Sequence, residues 1–261
     1  MRRERAPLAI GILAAAGAAF FILPLIGLVV RTPWADAARA VTSADTLEAL
    51  RLSLVASLTA TGVALVLGVP LAWVYARIEF PGRSVLRALT TLPMVLPPVV
   101  GGIALLLAFG RRGLLGSWLE SSFGISLPFT TAGVVFAETF VAMPFLVLTV
   151  EAGLRSMDRR YEDAARTLGA KRWTIFTRVT LPLIAPSLFA GAVLCWARAL
   201  GEFGATITFA GNFPGVTQTM PLAVYLLLGT NPEGSYILSL ILLVVSLVVL
   251  VGLRHRWLGS A

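Results

Sequence analysis

Apolar runs of 18 to 25 residues, separated by short polar gaps, set the pattern of this chain. A helix rises about 1.5 Å per residue and a bilayer's hydrocarbon core is about 30 Å thick. A run of about 20 apolar residues therefore crosses it, and six runs reach or approach that length. They are Leu8–Val30, Leu52–Ala76, Leu92–Phe109, Thr131–Val150, Leu183–Leu200 and Tyr236–Leu253. The third and fifth are the shortest, and proline or polar residues interrupt both. The third opens with LPMVLPPVVGG, which places Pro93, Pro97, Pro98, Gly101 and Gly102 at its start. Backbone groups freed by such a break cannot face lipid, so the break is buried in protein or lines a wet cavity. A kink filled by a neighbouring helix and a stretch of substrate path both fit, since transporters use broken helices at their sites.

One gap differs from the rest. Between the fourth and fifth runs, Tyr161, Ala164, Ala165 and Leu168 recur at i, i+3, i+4 and i+7, one apolar face of a short helix. Glu162 and Asp163 near its start and Arg166 toward its end match the helix dipole. Asp158 is the expected N-cap and Gly169 the expected stop. Trp173, Phe176 and Val179 predict a second short amphipathic helix leading to Leu181 and Pro182. Small residues flanked by two larger apolar ones suit close docking into a partner's groove. A helix lying on the membrane surface and a plain basic loop fit the same residues.

Composition supports a polytopic membrane protein. Of 261 residues, 57% are hydrophobic and 13% charged, against about 25% charged in an ordinary soluble domain. Mean hydropathy is +0.88. The net charge of +8 does not point to nucleic acid, because the basic residues sit in the gaps between apolar runs. Placing the N-terminus in the cytoplasm puts fifteen of the 21 Lys and Arg residues inside and five outside. The inside set includes Arg2, Arg3, Arg5, Arg254 and Arg256; Arg111 and Arg112 are the outside exception. The expected topology is N-in, C-in, with GRRGLLGSWLESSFGISLPF as an external interfacial segment. The first run exceeds the 7–15 apolar residues of a signal peptide, so it is expected to remain as a span.

Candidate chemistry is sparse. Cys195 is the one cysteine, which excludes an internal disulfide and marks it as a packing residue. His255 is the one histidine, which argues against a His-ligated metal or a hydrolytic triad. Lys171, the one lysine, stands between Ala170 and Arg172, so the chain has no Gly-Lys-Ser/Thr phosphate loop. Any ATP it uses must be hydrolysed on a partner. An intramembrane enzyme would have to draw on Glu138, Arg198 and Glu202 alone. Arg198 and Glu202 are four apart on one helical face, spaced for an ion pair. Beyond them lie Thr206, Thr208, Asn212, Thr217, Gln218 and Thr219, with no further Lys or Arg before Arg254. Such residues fit a path of neutral donors for an oxyanion, or a polar external loop.

Asp163-Ala164-Ala165, then Gly169, then Val179 and Leu181-Pro182 keep the spacing of a motif found in permease subunits of ATP-binding-cassette importers. Asp stands here for the motif's usual Glu and Val for its usual Ile. The stretch ARALGEFGATITFAGNFPGVTQTMPLAVY, with LPPVVGGIALLLAFGRRGLLG, resembles the molybdate permeases of that family. Sulfate and thiosulfate permeases share a similar Gly-Glu-Phe-Gly segment. The resemblance implies an all-α type I importer permease fold, one transmembrane domain over 1–261, with a cytoplasmic coupling segment at 155–182. It implies that Tyr161, Glu162, Asp163, Ala164, Ala165, Leu168, Gly169 and Ala170 engage a separate ATPase. Pro97, Pro98, Gly101, Arg198, Glu202, Thr206, Thr208 and Asn212 become candidates for the translocation path or gate. The implied assembly is a homodimer with two ATPase subunits, which carry ATP and Mg, and one extracytoplasmic oxyanion-binding protein. It would sit in a bacterial or archaeal cytoplasmic membrane. No cofactor is expected on this chain. An ion-driven carrier is the contrasting reading; it more often has twice as many spans.

Overall fold

The computed structural model describes residues 7–257. Arg2, Arg3 and Arg5 lie outside them, as do the side chains of Arg254, His255 and Arg256. The described chain is helical. In order it forms α1 (Leu8–Arg31), α2 (Trp34–Val41), α3 (Ala44–Arg77), α4 (Arg83–Thr91), α5 (Pro98–Phe109), α6 (Gly116–Phe123) and α7 (Thr131–Ser156). Then follow α8 (Arg160–Thr167), α9 (Arg172–Ile175), a π-helical turn at Phe176–Thr180 and α10 (Leu181–Leu183). The chain ends with α11 (Ala185–Leu200), α12 (Gly204–Phe209), α13 (Met220–Thr230) and α14 (Pro232–Trp257).

Among the described residues four helices are long and apolar enough to cross a membrane: α1, α3, α7 and α14. Two bent pairs supply the rest. Arg83–Met94 meets Pro98–Phe109 at 119°, and Arg172–Leu183 meets Ala185–Leu200 at 73°. Counting each pair once gives six, in the places the hydrophobic pattern predicts. The first break falls where Pro97 and Pro98 interrupt the third run, because proline supplies no N–H to the preceding turn.

The core is the packing of α3, α7 and α11. The buried face of α3 is a ladder of small residues: Ala49, Ser53, Ala56, Ala60, Ala64, Gly68, Ala72 and Ala76. Steps of three and four keep these on one stripe, and in lipid such stripes let backbones approach closely. A Cβ at Gly68 would lie 3.2 Å from both Leu146 and Val147 of α7. Tyr75, Leu146, Val147, Val150, Leu154, Ile184 and Cys195 fill the spaces beside the ladder. Cys195 is fully buried there, as a packing residue should be. α3 starts at Ala44, well before Leu52, because the Ser43 side chain caps the N–H of Thr46 and carries the helix through a polar first turn.

Outside this core, α1 has no buried residue and touches α14. α13 packs against α14 and α3. It is an apolar helix that begins directly after the hydroxyl- and amide-rich stretch ending at Thr219. α6 forms within the segment expected at the interface, and its Trp118 is exposed against Phe123.

Candidate functional site

The short helix of the polar gap forms as α8. The Asp158 carboxylate accepts the N–H of Arg160 at 2.9 Å, so it caps from just before Arg159, the residue in the N-cap position. At the other end, the N–H of Ala170 donates to the Ala165 carbonyl at 3.0 Å, and that of Gly169 to the Arg166 carbonyl at 2.9 Å. This double closure is a Schellman motif, and it places Gly169 at φ +80°, where a side chain would be strained. Trp173 and Phe176 follow on α9 and the π turn, as the second amphipathic pattern predicts.

The orientation of α8 is the informative part. Its apolar face points away from the rest of the chain. Tyr161 is 58% exposed and Leu168 88%; Ala164 is exposed, and Ala165 and Ala170 are half-buried. The side turned inward carries an acid. Glu162 is 4% exposed, accepts the Thr180 hydroxyl at 2.7 Å, and pairs with Arg77 at 3.4 Å. An ordinary surface helix buries its apolar face and leaves its acids outside; α8 does the reverse. Asp163, at the motif's acidic position, is exposed and pairs with Arg166 at 2.7 Å. The buried contact therefore belongs to the neighbouring Glu162. It ties α8 to the end of α3 and to the π turn that leads into α11.

A second buried acid braces the same end of the bundle. Glu151 is 1% exposed and forms ion pairs with Arg155 at 2.8 Å and Arg87 at 3.0 Å. Arg155 donates to the Tyr75 carbonyl at 3.3 Å, and Arg83 donates to the same oxygen. The ends of α3, α4 and α7 are thus joined through arginines. Sequence reasoning did not single out Glu151 or Arg87; the i+4 spacing to Arg155 was the available signal.

The path candidates gather near the far end of α11. Arg198 pairs with Glu202 at 2.5 Å, as their spacing predicts, and Glu202 is 1% exposed. The other carboxylate oxygen of Glu202 accepts the Ala205 N–H at 2.8 Å, holding the start of α12. α12 crosses the broken helix α5 at very short range. A Cβ on Gly102 would lie 2.6 Å from the Thr208 Cβ, and one on Gly204 would lie 2.7 Å from the Pro98 Cβ. Gly101 is buried and faces the Phe140 ring instead. A neighbouring helix therefore covers the glycines beside the break, while Pro97 and Pro98 remain exposed. Replacing Gly102 with Val is expected to push α5 from α12, costing about 1–3 kcal/mol by overpacking. A lower unfolding temperature of the purified protein in detergent checks this.

Around this corner several buried polar atoms have no protein partner among the described residues. They are the Oε2 of Glu138, the Nε1 of Trp196, the Oγ1 of Thr206 and the Oδ1 of Asn212. Glu138 lies within electrostatic reach of Glu202. Thr208 is satisfied by the Gly204 carbonyl. Buried polar groups are nearly always paired, so these orphans mark a polar seam within an apolar bundle.

A bundle of apolar helices with two broken spans, a polar seam and a short helix presenting its apolar face outward is the build of a multi-pass transport subunit. Residues 64–260 match the binding-protein-dependent transport system inner membrane component family, and the chain belongs to it. It is 48% identical over 245 residues to the molybdenum transport system permease protein ModB of Mycobacterium tuberculosis, covering 93% of this chain and 92% of that one. It is 38% identical over 226 residues to the sulfate transport system permease protein CysT of Escherichia coli, covering 85% and 81%. Among solved structures it resembles a bacterial ABC transporter that imports the acidic polysaccharide alginate. That match has a TM-score of 0.72 at 20% identity and covers 96% and 94% of the two chains, a likeness of fold. The chain is thus a permease subunit of the inner membrane with an ABC importer fold.

Proposed function

We propose that the chain is the permease of a molybdate importer, working as a homodimer with two ATPase subunits and an extracytoplasmic binding protein. The observation that carries the substrate is the 48% identity to a molybdenum permease over nearly the whole of both chains, against 38% to a sulfate permease. The observation that supports an ATPase partner is α8, whose Tyr161 and Leu168 are exposed with no covering partner among the described residues and whose alanines allow close approach. Tyr161, Leu168 and the small residues between them dock in a groove on the ATPase. Glu162 holds the helix from behind, so displacement of α8 moves α3 and the π turn with it. ATP binding draws the ATPase pair together, the two α8 helices follow, and the helix bundle opens outward to take the anion. Hydrolysis returns it inward. The anion is not chemically changed.

The seam suits this cargo. Arg198 is neutralised by Glu202, and the Thr206 hydroxyl, which has no protein partner among the described residues, offers a neutral donor, so an oxyanion meets a hydrogen bond without a trapping charge. The test is reconstitution with the ATPase and binding protein in proteoliposomes. ATP-dependent uptake, with ATPase activity stimulated by molybdate-loaded binding protein, is the expected result. Stimulation by sulfate-loaded protein alone would reassign the substrate. Uptake driven by an ion gradient without ATP would overturn the class.

A further inference from the structure

Behind α8 lies a cavity of about 410 Å³, walled by Arg77, Arg159, Arg166 and Arg172 together with Glu162 and Asp163. The rings of Trp73 and Phe176, edge to face at 6.3 Å, form an apolar side. Two of the four arginines are neutralised within the wall: Arg77 by Glu162, and Arg166 by Asp163. Among the described residues Arg159 and Arg172 have no acidic partner, and Arg159 reaches only the Ala76 carbonyl at 3.4 Å. The wall therefore carries two positive charges in excess. Arg77 adds a stronger sign. Its side chain is 8% exposed, yet its Nε–H is buried with no acceptor. A buried donor left unpaired is costly, and guanidinium forks match the oxygens of tetrahedral anions.

We propose that this cavity is a binding site for a tetrahedral, multiply charged oxyanion, either a free phosphate-type ion or the phosphate group of an anionic lipid. The site is separate from the Arg198–Glu202 pair. The two lie at opposite ends of α11, whose 16 residues span about 24 Å. An anion held by Arg159 at the N-cap of α8, Arg77 on α3 and Arg172 on α9 locks three elements together. Its occupancy adjusts how stiffly α8 is mounted. The binding claim stands on the cavity alone and does not depend on α8 docking to an ATPase.

The experiment uses the full chain in nanodiscs, first of neutral phosphatidylcholine and then with added phosphatidate. Radiolabelled inorganic phosphate binding and hydrogen exchange of residues 160–167 are measured in wild type, R159Q/R172Q and R159K/R172K. Both arginines lie at the surface, so the fold is retained. A free-ion site gives saturable phosphate binding in neutral discs, slowed exchange of α8, and an affinity at least tenfold weaker in the Gln variant. The Lys variant regains part of it. A lipid site gives slowed exchange only in phosphatidate discs, again lost in the Gln variant. Wild type showing neither response, or a Gln variant that responds as wild type does, overturns the proposal.

Discussion

Ala165→Arg abolishes ATP-driven uptake, by at least a hundredfold, while the chain stays in the membrane at its normal level. Ala165 sits on the outward apolar face between Tyr161 and Leu168, and its own backbone carbonyl closes the Schellman motif. The substitution leaves that carbonyl, the Asp158 cap and the Glu162 tie in place, so α8 still folds and stays mounted. What changes is the surface. A long charged chain replaces a methyl where the proposed docking brings two backbones close, and a guanidinium pressed into an apolar groove without a partner costs several kcal/mol. Loss of about 3 kcal/mol at a docking surface is already more than a hundredfold in occupancy. The measurements are uptake in proteoliposomes, ATPase stimulation by the loaded binding protein, and co-purification with the ATPase. All three fall together if α8 is the docking element. Normal uptake by this variant removes α8 from that role.

The long spans were legible because hydropathy over about 20 residues is a strong signal and does not depend on neighbours. The broken ones were legible as breaks but not as angles. Pro97 and Pro98 say that the helix stops; they do not give the 119° turn, beside which α12 packs against α5 at glycine contact distance. α12 itself, six residues from Gly204 to Phe209, is too short for a periodic signal. Its start is held by the Glu202 carboxylate from one residue before the N-cap, where Phe203 offers no capping side chain. α8 shows the division most clearly. Its period, cap and glycine stop are all local; the period and the stop appear as expected, and Asp158 caps from one residue before the N-cap position, which Arg159 takes. Which face turns inward depends on Arg77, 85 residues away, and on Thr180. The 3.6-residue period locates an apolar face but does not say whether the protein or a partner covers it. The same limit hid which of the two adjacent acids is buried: Glu162 turns inward, while Asp163 stays at the surface paired with Arg166.

That tie supports the second large effect. Glu162→Ala leaves the Arg77 guanidinium, 8% exposed, without its carboxylate, and leaves the Thr180 hydroxyl without its acceptor. Removing one partner of a buried ion pair costs about 3–5 kcal/mol, much of it the unpaired charge that remains. The expected result is a lower unfolding temperature in detergent, with ATPase activity that no longer follows uptake, because α8 moves without carrying α3. Glu162→Gln keeps an acceptor for Thr180 and loses only the charge, so it falls between wild type and Ala. Arg77→Met combined with Glu162→Met separates the two consequences. Replacing a buried pair by apolar residues of similar volume is often neutral or stabilising, so the unfolding temperature recovers. Thr180 still lacks its acceptor in that double variant, and the link to the π turn stays broken. Uptake per ATP hydrolysed therefore recovers only in part. If uptake returns fully with stability, Glu162 serves only to hold the fold. If the Ala variant keeps both its unfolding temperature and its uptake, α8 is mounted by some other contact.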